Sequence, residues 1–262
     1  MIRVAVCGIG RTGSEVIRAI LKNDRFSLAA AFCRPESEKA GQDVGTLLQL
    51  APVGVTAREI SQAEQVLAEA EADVFVDFSS PASVKLLLRA CKKRRIPGVI
   101  CTTGFTEADL IWMSDFVTHN NLGVVYAPNV TLGVNVLLAA LKLVARALPE
   151  FDYLITETHH NKKLDIPSGT AKKIAAAIRE ERAIEAEIPI HSVRAGGYVG
   201  VHTVLLASDF ERLSLTHESF SRRAFVEGAL TAANFVLGKS GWYDMEDVLG
   251  ITERFERAAS AV

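Results

Sequence analysis

The 262-residue chain is long for one domain and short for two large ones, which fits two unequal domains. Its 49% hydrophobic and 23% charged residues make an ordinary globular composition, so the core needs no metal or disulfide support. A formal charge of -2 gives no footing for a nucleic-acid or membrane partner, and no apolar run reaches bilayer-spanning length.

Arg3 to Cys7 is a short β-branched run followed by the turn Gly8-Ile9-Gly10-Arg11-Thr12-Gly13, and a helical pattern follows from Ser14 to Lys22. Phe26 to Phe32 reads as a second strand, Ala63 to Ala70 as a helix, and Asp73 to Phe78 as a buried strand ending at Ser79-Ser80-Pro81. Ser83 to Arg94 is helical, Gly98 to Cys101 extended, Glu107 to Asn120 helical and Gly123 to Tyr126 extended. Strands alternating with helices predict right-handed βαβ crossovers and a parallel sheet.

The texture changes after Ala127-Pro128-Asn129. Val134 to Leu148 reads as a long apolar helix, Tyr153 to Thr158 as a strand and Thr170 to Arg182 as a helix. His191 to Val193, Val201 to Ser208 and Arg212 to Ser219 follow as strands of a mixed or antiparallel sheet. Ala224 to Leu237 is helical, and the tail from Trp242 is expected to return to the first domain.

The four cysteines, Cys7, Cys33, Cys91 and Cys101, form no C-x-x-C pair. They read as small apolar residues of a protein in a reducing compartment. Met1-Ile2-Arg3-Val4 runs into a strand without a leader-like apolar segment, so a cytoplasmic location is expected. The one dense basic run, Lys92-Lys93-Arg94-Arg95, reads as a solvated helix end.

A glycine loop between a first strand and a first helix offers backbone N–H groups and a helix N-terminus to a pyrophosphate. Gly8 suits the tight turn, Gly10 the close approach of phosphate and Gly13 the close packing of helix on strand. The end of the second strand then decides which dinucleotide binds. It carries Ala31-Phe32-Cys33-Arg34, with no acid to accept from a ribose 2′-hydroxyl. Arg34 can instead face a 2′-phosphate, helped by Arg11 and Lys39. NADPH is therefore favoured, and NADH remains usable.

The stretch Thr158-His159-His160-Asn161-Lys162-Lys163-Leu164-Asp165-Ile166-Pro167-Ser168-Gly169-Thr170 places two histidines and two lysines between a strand end and a helix start. Ser168 is a natural N-cap, which turns the N–H groups near Gly169 and Thr170 toward an anion. Imidazoles and an ammonium beside that helix start suit carboxylate binding and proton donation. A metal is not expected: adjacent histidines on extended chain point to opposite sides, and no carboxylate or cysteine partner stands out.

At these residues the chain resembles the 4-hydroxy-tetrahydrodipicolinate reductase (dihydrodipicolinate reductase) family. Its E-x-H-H-x-x-K-x-D-x-P-S-G-T signature stands here as Glu157 through Thr170. Asp77-Phe78-Ser79, Thr102-Thr103-Gly104-Phe105, Ala127 through Asn135, Ser192 through Gly197, Gly200-Val201-His202-Thr203 and Ser221-Arg222 resemble family segments in the same order.

The resemblance implies a Rossmann-type dinucleotide-binding domain (1–127 plus 238–262) and an inserted α+β domain on a mixed sheet (128–237) for substrate binding and oligomerisation as a homotetramer. It implies that His159 and Lys163 are catalytic and that His160, Gly169 and Thr170 bind a cyclic dicarboxylate. It also implies that Gly8, Ile9, Gly10, Arg11, Thr12, Gly13, Arg34, Phe78, Ser79, Cys101, Thr102, Thr103, Ala127, Pro128, Asn129 and Val130 contact the cofactor. The implied reaction is loss of the 4-hydroxyl as water, hydride addition at ring C4 and protonation by the His/Lys pair. This chain departs from the family pattern in a glycine loop one residue short, Cys33 in place of an acid, Cys101 in place of a glycine and Val201 in place of a glutamate.

Two rival readings share parts of this pattern. A two-domain amino-acid dehydrogenase such as aspartate dehydrogenase would share the glycine loop but not the His-His-x-x-Lys run. A non-catalytic NADPH-binding regulator would have no use for an intact His159 and Lys163.

Overall fold

The computed structural model describes residues 1–251 of the chain. The first unit alternates strand and helix: β1 (Ile2–Cys7), α1 (Arg11–Ile20), β2 (Phe26–Cys33), α2 (Val44–Leu47), β3 (Ala57–Glu59), α3 (Ala63–Glu69), β4 (Val74–Asp77), α4 (Pro81–Cys91), β5 (Gly98–Ile100), α5 (Glu107–His119) and β6 (Gly123–Tyr126). Val4 to Cys7, all of β4 and all of β5 are buried as unbroken runs. Such runs, without polar alternation, mark strands covered on both faces.

The second unit contains α6 (Leu132–Ala147), β7 (Asp152–His159), α7 (Gly169–Arg182), β8 (Ile190–Arg194), β9 (Gly200–Ala207) and β10 (Arg212–Ser219). The chain then adds α8 (Arg223–Val236), β11 (Gly241–Tyr243) and α9 (Met245–Leu249).

In the first unit the strand order is β11-β6-β5-β4-β1-β2-β3, with every neighbouring pair parallel. The order reverses between β1 and β4, the switch point at which doubly wound sheets bind ligands beyond their strand ends. One face carries a core of Phe32, Leu67, Phe75, Leu87, Leu88, Met113 and Leu122. The expected α/β class and mixed second sheet are both present: that sheet runs β10-β9-β7-β8, parallel at β7/β8 and antiparallel elsewhere. Strict alternation on β7 and β9 puts Tyr153, Ile155, Val204 and Leu206 into a core with α6 and α7.

Three differences from the sequence reading have local causes. Helices α1 and α4 begin at Arg11 and Pro81, earlier than expected, because Gly13 is tolerated in a first turn and proline suits the first helical position. The compact first unit is Met1–Val130 and resumes at Phe225, so α8 groups with it and not with residues 128–237. Gly228 permits this, since a Cβ there would lie 1.7 Å from the Val130 carbonyl oxygen. β11 pairs with β6, so the returning segment does rejoin the first sheet. The expected membership of residues 252–262 lies outside the described residues.

Candidate active site

In the first unit, the residues expected to hold a dinucleotide lie at the carboxyl ends of five adjacent strands. Gly8 to Gly13 follow β1, Arg34 follows β2, Phe78 and Ser79 follow β4, Cys101 to Thr103 follow β5, and Ala127 to Val130 follow β6. Backbone hydrogen bonds stitch these ends together. Gly8 N–H donates to the Phe32 carbonyl at 2.8 Å, Phe78 N–H to Cys7 at 2.8 Å, Cys101 N–H to Asp77 at 2.9 Å and Ala127 N–H to Ile100 at 2.9 Å. Ser79 N–H donates to the Thr102 hydroxyl at 2.9 Å.

The three loop glycines have separate reasons. Gly8 adopts φ +97°, and a Cβ there would sit 2.4 Å from the Phe78 carbonyl oxygen. A Cβ on Gly13 would meet the Gly8 carbonyl oxygen at 1.8 Å. Gly10 needs no such relief: its φ of -94° is ordinary and a Cβ would meet nothing within 4 Å. Gly10 is also the N-cap of α1, where no side chain caps the helix. An uncapped helix start beside open space fits a bound phosphate.

Lys39 donates to the Ile9 carbonyl of this loop, and Arg34 is exposed just past β2. Cys101 continues the β5 ladder through its N–H, so the cysteine occupies this strand end without a positive φ. Beneath the loops Asp77 is fully buried, and burial pushes its carboxyl up to about 6 against hydrogen bonds that include Ser79 and Thr102.

In the second unit, period-two alternation puts Glu157 and His159 on the buried face of β7, with 0% and 7% of their surface exposed. Glu157 accepts at one oxygen from His159 Nδ1. At the other it accepts from Arg194 Nη2 at 2.8 Å and from Ser168 N–H at 3.3 Å. Arg194 also donates to the Asp165 carbonyl at 2.6 Å, tying the loop before α7 to the end of β8. The largest influence on Glu157, burial, opposes ionisation, yet the hydrogen bond from Arg194 and the neighbouring donors hold the carboxyl at about 2. Burial lowers His159 from its ordinary value, and Glu157 only partly offsets this.

Ser168 caps α7 as expected: its hydroxyl oxygen accepts from Ala171 N–H at 3.2 Å. The same oxygen lies 3.2 Å from His202 Nε2. Burial, followed by the neighbouring His159, brings His202 down to about 4. The His159 and His202 rings meet edge to face with centroids 5.1 Å apart. Lys163 Nζ is 2.8 Å from Asp165 Oδ1, with 23% of its side chain exposed. His160 is tied by its N–H to the Tyr198 carbonyl at 2.8 Å. Gly169 opens α7, and a Cβ there would meet nothing within 4 Å, which leaves room for an approaching carboxylate.

Sequence reasoning overlooked Glu157, Arg194 and His202 as site groups. Glu157 was detectable as the residue two before His159 on the same strand face. It corrects the expectation that no carboxylate accompanies the histidines. Glu157, His159 and His202 offer atoms within 4.8 Å of one another, a spacing that could hold a cation. The guanidinium on Glu157 competes for the carboxylate that such a cation would need.

Comparisons with known proteins place the whole chain in one family. The family model "Dihydrodipicolinate reductase, N-terminus" matches residues 2–130, and "Dihydrodipicolinate reductase, C-terminus" matches residues 133–249. The chain is 37% identical to a 4-hydroxy-tetrahydrodipicolinate reductase of Methanocaldococcus jannaschii, covering 97% of this chain and 99% of that one. It is also 37% identical to the protein of that name in Methanothermobacter thermautotrophicus, covering 96% and 100%. Among solved structures it resembles a dipicolinate-bound dihydrodipicolinate reductase of Paenisporosarcina sp. TG-14. The TM-score is 0.77 and the identity 29%, over 93% of this chain and 97% of that one. An amine dehydrogenase of Mycobacterium smegmatis, at TM-score 0.63 and 11% identity over 92% of this chain and 94% of that one, shares the fold alone.

Proposed function

The chain belongs to the dihydrodipicolinate reductase family, and from that premise we propose how its residues divide the work of an NAD(P)H-dependent reduction of 4-hydroxy-tetrahydrodipicolinate to tetrahydrodipicolinate with loss of water. The first unit, including its returning segment, is the dinucleotide-binding domain, and the second unit is the substrate domain. The carrying observation is the second unit's loop, in which Glu157, His159, Lys163 and the Ser168-capped start of α7 converge.

The glycine loop, Phe78, Ser79, Cys101 to Thr103 and Ala127 to Val130 would hold NAD(P)H. When bound, that cofactor supplies the hydride that reaches C4 of the ring. Arg34, with Lys39 and Arg11 in support, would read a 2′-phosphate, which makes NADPH the preferred form. His160 and the N–H groups of Gly169 and Thr170 would receive the substrate carboxylates at the positive end of α7. Dipicolinate in the Paenisporosarcina protein is a dicarboxylate of the matching kind. Lys163 would stabilise the negative charge that builds on the conjugated ring and protonate it.

The outward face of the second sheet carries Leu154, Thr156, Val193, Thr203 and Leu205. Through this face four copies would assemble in solution, which light scattering can count. The function is tested by following oxidation of NADPH with the aldol product of pyruvate and aspartate semialdehyde. Tight NADPH binding without turnover would favour a non-catalytic regulator instead.

A further inference from the structure

We infer that Glu157 is a positioning residue that fixes His159 as the Nδ1–H tautomer, so the imidazole meets substrate as a hydrogen-bond acceptor at Nε2 and leaves proton donation to Lys163. This deepens the reductase reading and rests on it for the role of Lys163. An ionised carboxylate has no proton to donate, so the ring nitrogen facing Glu157 must carry one. His159 is neutral, because burial lowers its proton affinity and the cations around it oppose a further charge. A neutral imidazole with Nδ1 protonated has only a lone pair at Nε2.

The groups facing His159 come from four segments. Glu157 lies on its own strand, Arg194 on β8, His202 on β9 and Lys163 in the loop before α7. Only Glu157 among them is an anion. His202 cannot supply a proton at neutral pH, since burial and its contact with His159 keep it uncharged.

Lys163 is different. Its ammonium pairs with Asp165 at the protein surface, where water can return a lost proton. After hydride reaches C4, the electron pair of the resulting enamine sits on the ring carbon between C4 and the imine carbon. A Lys163 N–H bond breaks as a C–H bond forms at that carbon, the ring C=N bond is restored, and Lys163 becomes an amine that regains its proton from water.

Glu157 also reaches beyond His159. Its second oxygen takes Ser168 N–H and Arg194, so one carboxylate registers the end of β7, the end of β8 and the start of α7. Losing that carboxylate should therefore disturb the chemical step and leave nucleotide binding by the first unit untouched.

The test is long-range 15N–1H NMR of the full-length protein labelled at histidine, with His159 assigned by the spectrum of His159→Gln. The expected wild-type pattern at pH 7 is a protonated Nδ1 and an unprotonated Nε2. An imidazolium pattern, or a proton on Nε2, would overturn the inference. Glu157→Gln should abolish the tautomer preference and lower kcat at least about tenfold, with KM for NADPH within about twofold. An unchanged tautomer with an unchanged kcat would also overturn it. If Glu157→Gln does not fold, the wild-type spectrum still decides. The expected tautomer in a protein without turnover would sink the reductase reading and leave the tautomer assignment standing.

Discussion

Replacing Arg194 with leucine should uncover what its contact with Glu157 contributes, in a pH-dependent way. Glu157 is fully buried and the Arg194 side chain is 12% exposed, so the variant strands a carboxylate away from water. The fall of the Glu157 carboxyl from 4.5 to about 2 corresponds to about 3 kcal/mol at roughly 1.4 kcal/mol per pH unit. Breaking a buried pair by removing one partner typically costs about 3–5 kcal/mol, and the low end applies because His159 and Ser168 still donate.

The sign follows from the depressed value. In the native protein this stabilisation is present above pH 4.5 and fades as pH falls toward 2. In the variant, burial dominates and raises the carboxyl, so protonation relieves the penalty as pH drops. The gap between the two proteins should be widest near neutrality and should narrow below about pH 5. Urea titrations at pH 7, 5.5 and 4.5 measure it, with far-UV dichroism as the signal and the slopes compared. In thermal melts the loss at pH 7 should appear as roughly 6–12 °C. A loss under about 1 kcal/mol at pH 7, or a gap constant with pH, would refute the claim that Arg194 neutralises a buried charge.

Lys163→Ala should lower kcat by about 10² while NADPH affinity stays unchanged, and a near-normal rate would remove this lysine from the mechanism. Arg34→Ala should raise KM for NADPH by roughly tenfold or more with little change for NADH, the size expected for losing a charged hydrogen bond. Equal changes for both cofactors would show that Arg34 does not read the 2′-phosphate. The loop glycines should separate by assay. Gly10→Ala should melt like the parent yet bind nucleotide roughly tenfold more weakly, about 1.4 kcal/mol. Gly13→Ala should lose about 1–3 kcal/mol of stability, because its Cβ meets the Gly8 carbonyl oxygen at 1.8 Å.

Local features carried most of what the sequence made legible. The glycine turn is read from six consecutive residues between a buried strand and a helix, and the Ser168 cap from its neighbours. Short elements were harder. β3 is three residues on a sheet edge, and α2 is four residues whose N-cap is the Asp43 side chain. Neither has the length to produce a periodic signal, and both depend on tertiary support. The grouping of α8 was also hidden, because it turns on the approach of Gly228 to Val130, 98 positions away in the chain. Arg194 lies 37 residues from Glu157, and only the parallel pairing of β7 with β8 brings them together.

The convergence on Glu157 bears on why the site is built this way. A buried ion pair is seldom the cheapest way to fill space, since apolar residues of similar volume do as well or better. This one sits where β7 and β8 end and α7 begins, beneath a neutral histidine and the cap of a helix. An apolar replacement could fill that volume but could not choose which imidazole nitrogen carries the proton. It could not hold the Ser168 N–H either. The charge is thus best understood as a geometric instruction to the side chains above it. That explains why the two most informative histidines of the sequence, His159 and His160, are adjacent yet unequal. His159 faces inward onto the carboxylate, while His160, just past the end of β7, is tied by its backbone N–H to the Tyr198 carbonyl.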